Sequence, residues 1–304
     1  MLIRATALLA VCFVSSASTA RAAESACREK ADANIWTSPE SPAAGEPLRI
    51  MAVAESLRAG ELAAGTGKKL DPIATTKRGG PPYSFAGELT PSAGTYRVEL
   101  RADGHTVSCR TITVAAKGKA KKRTQGTAVW ENARAWDRST ESFYSAWIEA
   151  LFDAPAEESV SFPSLAPVLR DPRRNFFYDH LGLREDDPKN KAVPPAEPDC
   201  ADLPYYLRAY FSWKMQLPFA FRDCDRGTSG RPPRCGPPAT NGEPPEGKEP
   251  LSSFKKLLRK VINNVHSGSA RAALADEQTT NTPSSSRAPP CAPAPSTPIP
   301  TATS

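Results

Sequence analysis

The chain has 304 residues, with 39 Lys and Arg against 33 Asp and Glu for a formal charge of +6, and it contains 31 prolines and seven cysteines. That length accommodates one large or two ordinary domains, and a proline content about twice average usage assigns part of it to loop rather than core. The positive balance suits anionic surroundings such as peptidoglycan, another envelope polymer or lipid head groups. Nucleic acid is excluded as a partner by the leader, because an exported chain rarely meets it.

Arg4, the apolar run from Ala5 to Val14 and the small-residue stretch ending in Ala20-Arg21-Ala22 read as a secretory signal peptide over 1–22. Its apolar core is shorter than the roughly 20 residues a membrane-spanning helix needs, and no later segment reaches that length. The expectation is an exported protein of the periplasm or extracellular space with no membrane span. A lipoprotein reading of Leu9-Ala10-Val11-Cys12 is opposed by Val11, where a small residue is expected, and by the apolar run continuing through Phe13 and Val14. Export places Cys27, Cys109, Cys200, Cys224, Cys235 and Cys291 where pairing is the default. Spacing suggests bridges Cys27–Cys109 and Cys224–Cys235, which leaves Cys200 without an obvious partner and Cys291 in the tail.

Over 24–116 the sequence predicts short strands at 48–53, 83–89, 95–100 and 106–114, separated by Gly45, Gly79-Gly80, Pro91 and Asp103-Gly104. Short strands at this interval predict a β-sandwich, with Asp103-Gly104 as a hairpin turn. The segment resembles immunoglobulin-like modules in architecture. It departs from the antibody pattern, because its cysteines tie the first strand to the last and no tyrosine stands two residues before Cys109. Residues 117–126 form a basic linker, with five positive charges between Lys117 and Arg123. Such a run is solvated; a sharper reading makes it a patch for anionic envelope polymer. Gly65-Thr66-Gly67-Lys68 fails as a phosphate loop, since Leu62 stands where glycine is needed and Lys69 replaces the hydroxyl residue. Cys224 and Cys235 lack neighbours for a zinc site, so neither cofactor nor metal is expected.

Residues 127–280 read as α-rich. Trp136, Thr140, Phe143, Tyr144, Trp147, Ile148 and Leu151 recur at helical steps and predict a helix over 131–153. Phe176-Phe177-Tyr178 is a buried anchor in a proline-rich stretch, and helices are expected over 199–217 and 251–266. From Asn281 to Ser304 the chain is built almost wholly of Pro, Ala, Ser and Thr, which cannot bury a core and predicts a disordered tail.

The run Pro198-Asp199-Cys200-Ala201-Asp202-Leu203-Pro204-Tyr205-Tyr206-Leu207 carries the chemistry. Pro204 has no N–H to give the carbonyl of Cys200, so it belongs to the first helical turn, with Cys200 at or just before the helix start. A helix N-terminus stabilises thiolate over thiol, and its free N–H groups can hold an oxyanion. The bland alternative is a buried inert cysteine, or one paired with Cys224 or Cys235. Asp199 and Asp202 are read as residues suited to a helix N-terminus rather than as a carboxylate pair.

An Asp-Cys pair opening a helix that continues with a small residue, Asp, Leu and an aromatic is similar to the nucleophile helix of NlpC-type and CHAP-type cell-wall peptidases, compact papain-like cysteine enzymes. The similarity is close over about fifteen residues and loose over the helical half. It implies that Cys200 attacks a peptide bond of peptidoglycan and that a histidine on a following strand is the base. No such strand is legible. His105 belongs to the sandwich, His180 precedes the cysteine and His266 ends a helix, which leaves His180 and His266 as weak candidate bases. Exported proteins that the chain resembles follow a segment like His266–Arg271 with a strand Leu-Arg-Pro-Gly-Thr-Val-Tyr-Ala-Asp-Pro-Tyr-Gly-His. The codons of Pro290 to Thr303, read with each third base joined to the next two, admit every residue of it. The tail therefore reads as a frameshift product, and 127–280 as a papain-like domain lacking its C-terminal strands.

The expected fold class is an α+β multidomain chain: an immunoglobulin-like β-sandwich, an α-rich incomplete papain-like domain and a disordered tail. The expected function is that of an exported cysteine hydrolase-like protein acting on an envelope amide, inactive if the base is lost. The alternatives are a non-catalytic envelope-binding or scaffold protein with a structural Cys200, and a transglutaminase-like acyl transferase.

Overall fold

The computed structural model describes residues 27–266, apart from 68, 120, 122, 159–163, 191–195 and 232. The leader, the tail with Cys291 and the segment 267–280 lie outside the described residues. The chain is mixed α+β. Its first half folds as eight strands: β1 Ala33–Ser38, β2 Leu48–Ala54, β3 Glu61–Gly65, β4 Asp71–Ile73, β5 Thr76–Gly79, β6 Tyr83–Leu89, β7 Gly94–Ala102 and β8 His105–Val114. They pair antiparallel into two four-stranded sheets, ordered β1-β2-β6-β5 and β4-β3-β7-β8. Ile35, Leu48, Ile50, Ala52 and Phe85 of the first sheet meet Leu62, Val98 and Leu100 of the second in one hydrophobic cluster, so the sheets pack face to face. Asp103-Gly104 does turn the β7–β8 hairpin, with both residues at positive φ.

β2 shows how the sheets join the rest of the chain. Side chains alternate across a strand. Leu48, Ile50, Ala52 and Ala54 enter the core between the sheets, whereas Met51 and Val53 enter a second cluster that contains the helical half. β1 divides in the same way, giving Ile35 to the first core and Trp36 to the second. A strand buried on both faces reads as a continuous apolar run, as Ile50–Ala54 does.

The second half contributes helices α1 Arg138–Phe152, α2 Ala166–Leu169, α3 Leu203–Met215 and α4 Pro250–Asn264, with a two-stranded β9 Ala220–Phe221 and β10 Ala239–Thr240 between the last two. α1 begins seven residues later than its apolar spacing predicts. Asp137 stops it there with a capping box: its carboxylate accepts from the Thr140 N–H at 2.8 Å, and the Thr140 hydroxyl takes the Asp137 N–H at 2.8 Å. Upstream, the indoles of Trp130 and Trp136 donate to the Leu217 and Pro218 carbonyls, each at 2.8 Å, which holds 130–136 as an irregular segment against the end of α3. α3 ends at Gln216, whose left-handed conformation (φ 55) forms its C-cap. Disulfides Cys27–Cys109 and Cys224–Cys235 are both present. Among the described residues no helix is long and apolar enough to cross a membrane.

Ten of the thirteen α3 residues are buried, including Lys214 near its C-terminus. Its ammonium cannot reach water, so the fold brings it counter-charges. Lys214 Nζ lies 2.6 Å from Glu185 and 2.6 Å from Asp186, and donates to the Phe177 carbonyl at 3.0 Å. The remaining carboxylate valences are filled: Glu185 accepts from the Leu181 and Leu183 N–H groups, and Asp186 from the Tyr210 hydroxyl (2.8 Å) and the Asp179 N–H (2.9 Å). Asn175 extends the network, donating to Tyr210 and the Leu169 carbonyl while accepting from the Trp147 indole. Burial and the neighbouring Glu185 raise the Asp179 carboxyl. Glu185 is held low despite its own burial, by Lys214 and by hydrogen bonds from Asp179, Lys214 and Leu181.

The loop that supplies these groups also grips the sheets. Arg49 of β2 donates to the Phe176 carbonyl at 3.0 Å and to the Tyr178 carbonyl, and the Ser38 hydroxyl of β1 meets His180 Nδ1 at 3.0 Å. Breaking one partner of a buried, fully bonded ion cluster leaves uncompensated charge, at a cost of about 3–5 kcal/mol. Lys214→Met is therefore expected to lower the urea-unfolding free energy by about that amount. Replacing both Cys27 and Cys109 by Ser, which opens a loop of sequence separation 82, is expected to lower it by about 4 kcal/mol.

Candidate functional site

The N-terminal end of α3 is assembled by Asp199. Its Oδ1 accepts from the Ala201 N–H at 2.7 Å and the Asp202 N–H at 3.1 Å, and its carbonyl accepts from Leu203 N–H at 3.0 Å. This turn, 200–202, leads into the helix proper, whose first bond runs from Tyr206 N–H to the Asp202 carbonyl at 2.8 Å. Pro204 lies at the second helical position, where a missing N–H costs nothing. Cys200 sits in the turn, exposed and without a disulfide partner among the described residues. The other described cysteines are all in disulfides, so neither Cys224 nor Cys235 is available to staple it.

The electrostatics of the turn are set by two carboxyls. Asp199 is held below the usual carboxylate range by the N–H groups of Asp202 and Ala201, with a smaller contribution from the charge of His266. Asp202 is buried at 1% exposure, and its Oδ1 has no hydrogen-bond partner. Burial first, and the Asp199 charge second, push its carboxyl up to about 6. Two of the N–H groups at the helix start are already committed to Asp199, so they are not open donors for an oxyanion.

The structure separates the two candidate bases. His266, exposed two residues beyond α4, is the one whose charge reaches the Asp199–Cys200 turn. His180 is buried at the opposite end of α3, against Ser38 and edge-on to Phe177, and its imidazole is driven far below its ordinary pKa by burial and then by Lys214. A thirteen-residue helix is about 20 Å long, which keeps this neutral ring away from Cys200. His105 opens β8 in the sheets, as its sequence context predicts.

The sequence places Asp202 at the helix start but does not show its burial, and it does not show the Lys214 cluster. The signal for the cluster is a lysine inside Tyr205–Met215, where every residue but Arg208 is buried, together with the acidic Glu185-Asp186-Asp187 run. Comparison with protein-family models, with curated proteins and with solved structures finds no match.

A carboxyl raised by folding favours its protonated form. The stability it contributes is full below about pH 4, where the unfolded group is also protonated, and is lost as pH rises through about 6. Asp202→Asn, which keeps the neutral state at all pH, is expected to raise the unfolding free energy by about 1–2 kcal/mol at pH 8 and to leave it unchanged at pH 4. Urea titrations at the two pH values measure the difference.

Proposed function

We propose that this chain is an exported cysteine hydrolase-like protein whose helical half is an incomplete papain-like domain, with Cys200 as the nucleophile toward a peptide or amide bond of the cell envelope. The observation that carries the reading is the thiol itself: the other described cysteines are oxidised, while Cys200 has no disulfide partner among the described residues and is exposed at the start of a helix. A leftover exposed thiol in a secreted protein is reserved for reaction or for an intermolecular bridge. Two disulfides and the lack of a membrane-crossing helix among the described residues are compatible with export. The eight-stranded half is read as an immunoglobulin-like sandwich that presents the helical half to the envelope polymer. His266 is the histidine assigned as base, because its charge acts on the turn that holds the thiol.

One observation favours the non-catalytic reading, an envelope-binding or scaffold role. The Asp199 carboxylate occupies N–H groups that an oxyanion hole would use and adds negative charge beside the thiol. The two readings separate on purified peptidoglycan fragments. The hydrolase reading expects new amine ends, a loss of turnover on the order of a hundredfold or more in Cys200→Ser, and loss of the acid limb of the pH–rate profile in His266→Ala. Turnover unchanged in Cys200→Ser, or none in the parent together with no alkylation of Cys200 by iodoacetamide at neutral pH, overturns it. Diversion of product by an added amine identifies acyl transfer instead.

A further inference from the structure

At the seam between the sheets and the helical half, two guanidiniums converge on a core indole in an arrangement that neither apolar packing nor the Cys200 turn accounts for. Trp36 of β1 stacks on Phe143 of α1, with centroids 4.7 Å apart and planes inclined by 6°. Two guanidiniums gather on this indole: the Arg134 Cζ is 5.4 Å and the Arg110 Cζ 6.0 Å from the ring centroid. Trp36 is 7% exposed, and its indole N–H is buried without any hydrogen-bond acceptor. A donor left in that state is destabilising unless something fills its place. All three residues border a cavity of about 60 Å³, whose wall also includes Glu40, His180 and Gln216.

The cations facing this cavity differ in how they are paired. Arg110 donates to the Ile35 carbonyl at 2.6 Å and pairs with the Glu29 carboxylate at 3.5 Å. Among the described residues no carboxylate pairs with the Arg134 guanidinium. The fields of Glu40, Glu29 and Asp137 reach it, but Glu40 is held by Arg123 at 3.1 Å and by Gln216 at 2.7 Å, while Asp137 caps α1. On the inner wall, Lys214 is neutralised by Glu185 and Asp186, and His180 is uncharged. Burial, and then the charge of Arg110, lower the Arg134 pKa, as expected of two like charges held together. The Arg134 and Ala133 N–H groups donate to the Gln216 carbonyl at 3.2 and 3.0 Å, so the backbone that carries Arg134 is fixed to the end of α3.

We propose that this seam is an oxyanion-binding site, in which Arg134, Arg110 and the indole N–H of Trp36 receive one carboxylate or phosphate group of a larger ligand. Arginine matches either group with paired, charge-assisted hydrogen bonds. The cavity holds about twice the roughly 30 Å³ share of a water molecule, which suits a group of this size. The anion pairs with Arg134, adds to the partners of Arg110 and supplies the acceptor that the Trp36 N–H lacks. Its arrival ties β1 and β8 to the segment between the linker and α1, so the bound state is the more stable one. The inference is independent of any chemistry at Cys200.

The test titrates the full oxidised chain with inorganic phosphate and, separately, with acetate, at constant ionic strength set by chloride. Two readouts apply: the Trp36 indole N–H resonance and the thermal unfolding midpoint, which rises when a ligand binds only the folded state. The expected result is a saturable shift of both readouts with at least one oxyanion. Preference for phosphate identifies a phosphodiester polymer as the source, and preference for acetate a carboxylate-bearing one. Arg134→Gln is expected to weaken binding roughly ten- to a hundredfold, while the midpoint without oxyanion stays equal to or above that of the parent. Arg110→Gln serves as a second variant with the same expected direction. No saturable response to either oxyanion, or unchanged affinity in Arg134→Gln, overturns the site.

Discussion

A single ammonium that cannot reach water organises the helical half of this protein. Lys214 lies on a helix whose other faces are claimed by Tyr206, Phe211 and Trp213, so its charge must be matched inside the fold. Matching it requires the 175–187 loop to turn back on itself, with Asp179 and Arg184 at positive φ, until Glu185 and Asp186 both face the Nζ. Neutral residues of similar volume would pack there with less desolvation, so the cluster is better understood as a device that selects one loop conformation than as a source of net stability.

That selected conformation has two consequences. On one side the loop presents the Phe176 and Tyr178 carbonyls to Arg49 and His180 to Ser38, which docks the helical half on the outer face of the first sheet. Met51 and Val53 of β2 and Trp36 of β1 complete the same contact through apolar packing. On the other side the cluster pins the C-terminal end of α3, and with it the direction in which the helix delivers Asp199 and Cys200 to the surface. The exposed turn at one end of α3 and the buried charge at the other belong to one rigid element. The seam that holds Trp36, Arg110 and Arg134 lies along the same docked face, which is why its guanidiniums are crowded rather than spread into solvent.

The parts legible in sequence are those governed by local rules. β6, β7 and β8 alternate or carry their own turn residues, α3 and α4 show apolar spacing and cap within a few residues of the expected ends, and the two cystine pairs follow from spacing in an oxidising context. β1, β3, β4 and β5 were not legible. β4 and β5 have three and four residues and β4 contains Pro72, too little for an alternation to show; β1, β4 and β5 pair with a strand adjacent in sequence, while β3 also needs the distant β7. The start of α1 is not legible, because Trp136 fits the helical period while its indole is used elsewhere, as a donor to the Pro218 carbonyl. At the candidate site the helix-start position of Cys200 was legible from Pro204 alone. The roles of the surrounding groups were not, because burial of Asp202, the proximity of His266 to Asp199 and the isolation of His180 at the far end of α3 all depend on which helix packs on which.

Native-state hydrogen exchange tests the central claim most directly. If the Lys214 cluster is what locks the loop and docks the two halves, the amides of Asp179, Leu181 and Leu183, which donate to Asp186 and Glu185, will exchange only through the same opening as the α3 amides, with protection close to that of global unfolding. Exchange of those three amides at rates typical of a surface loop, while α3 stays protected, would contradict it.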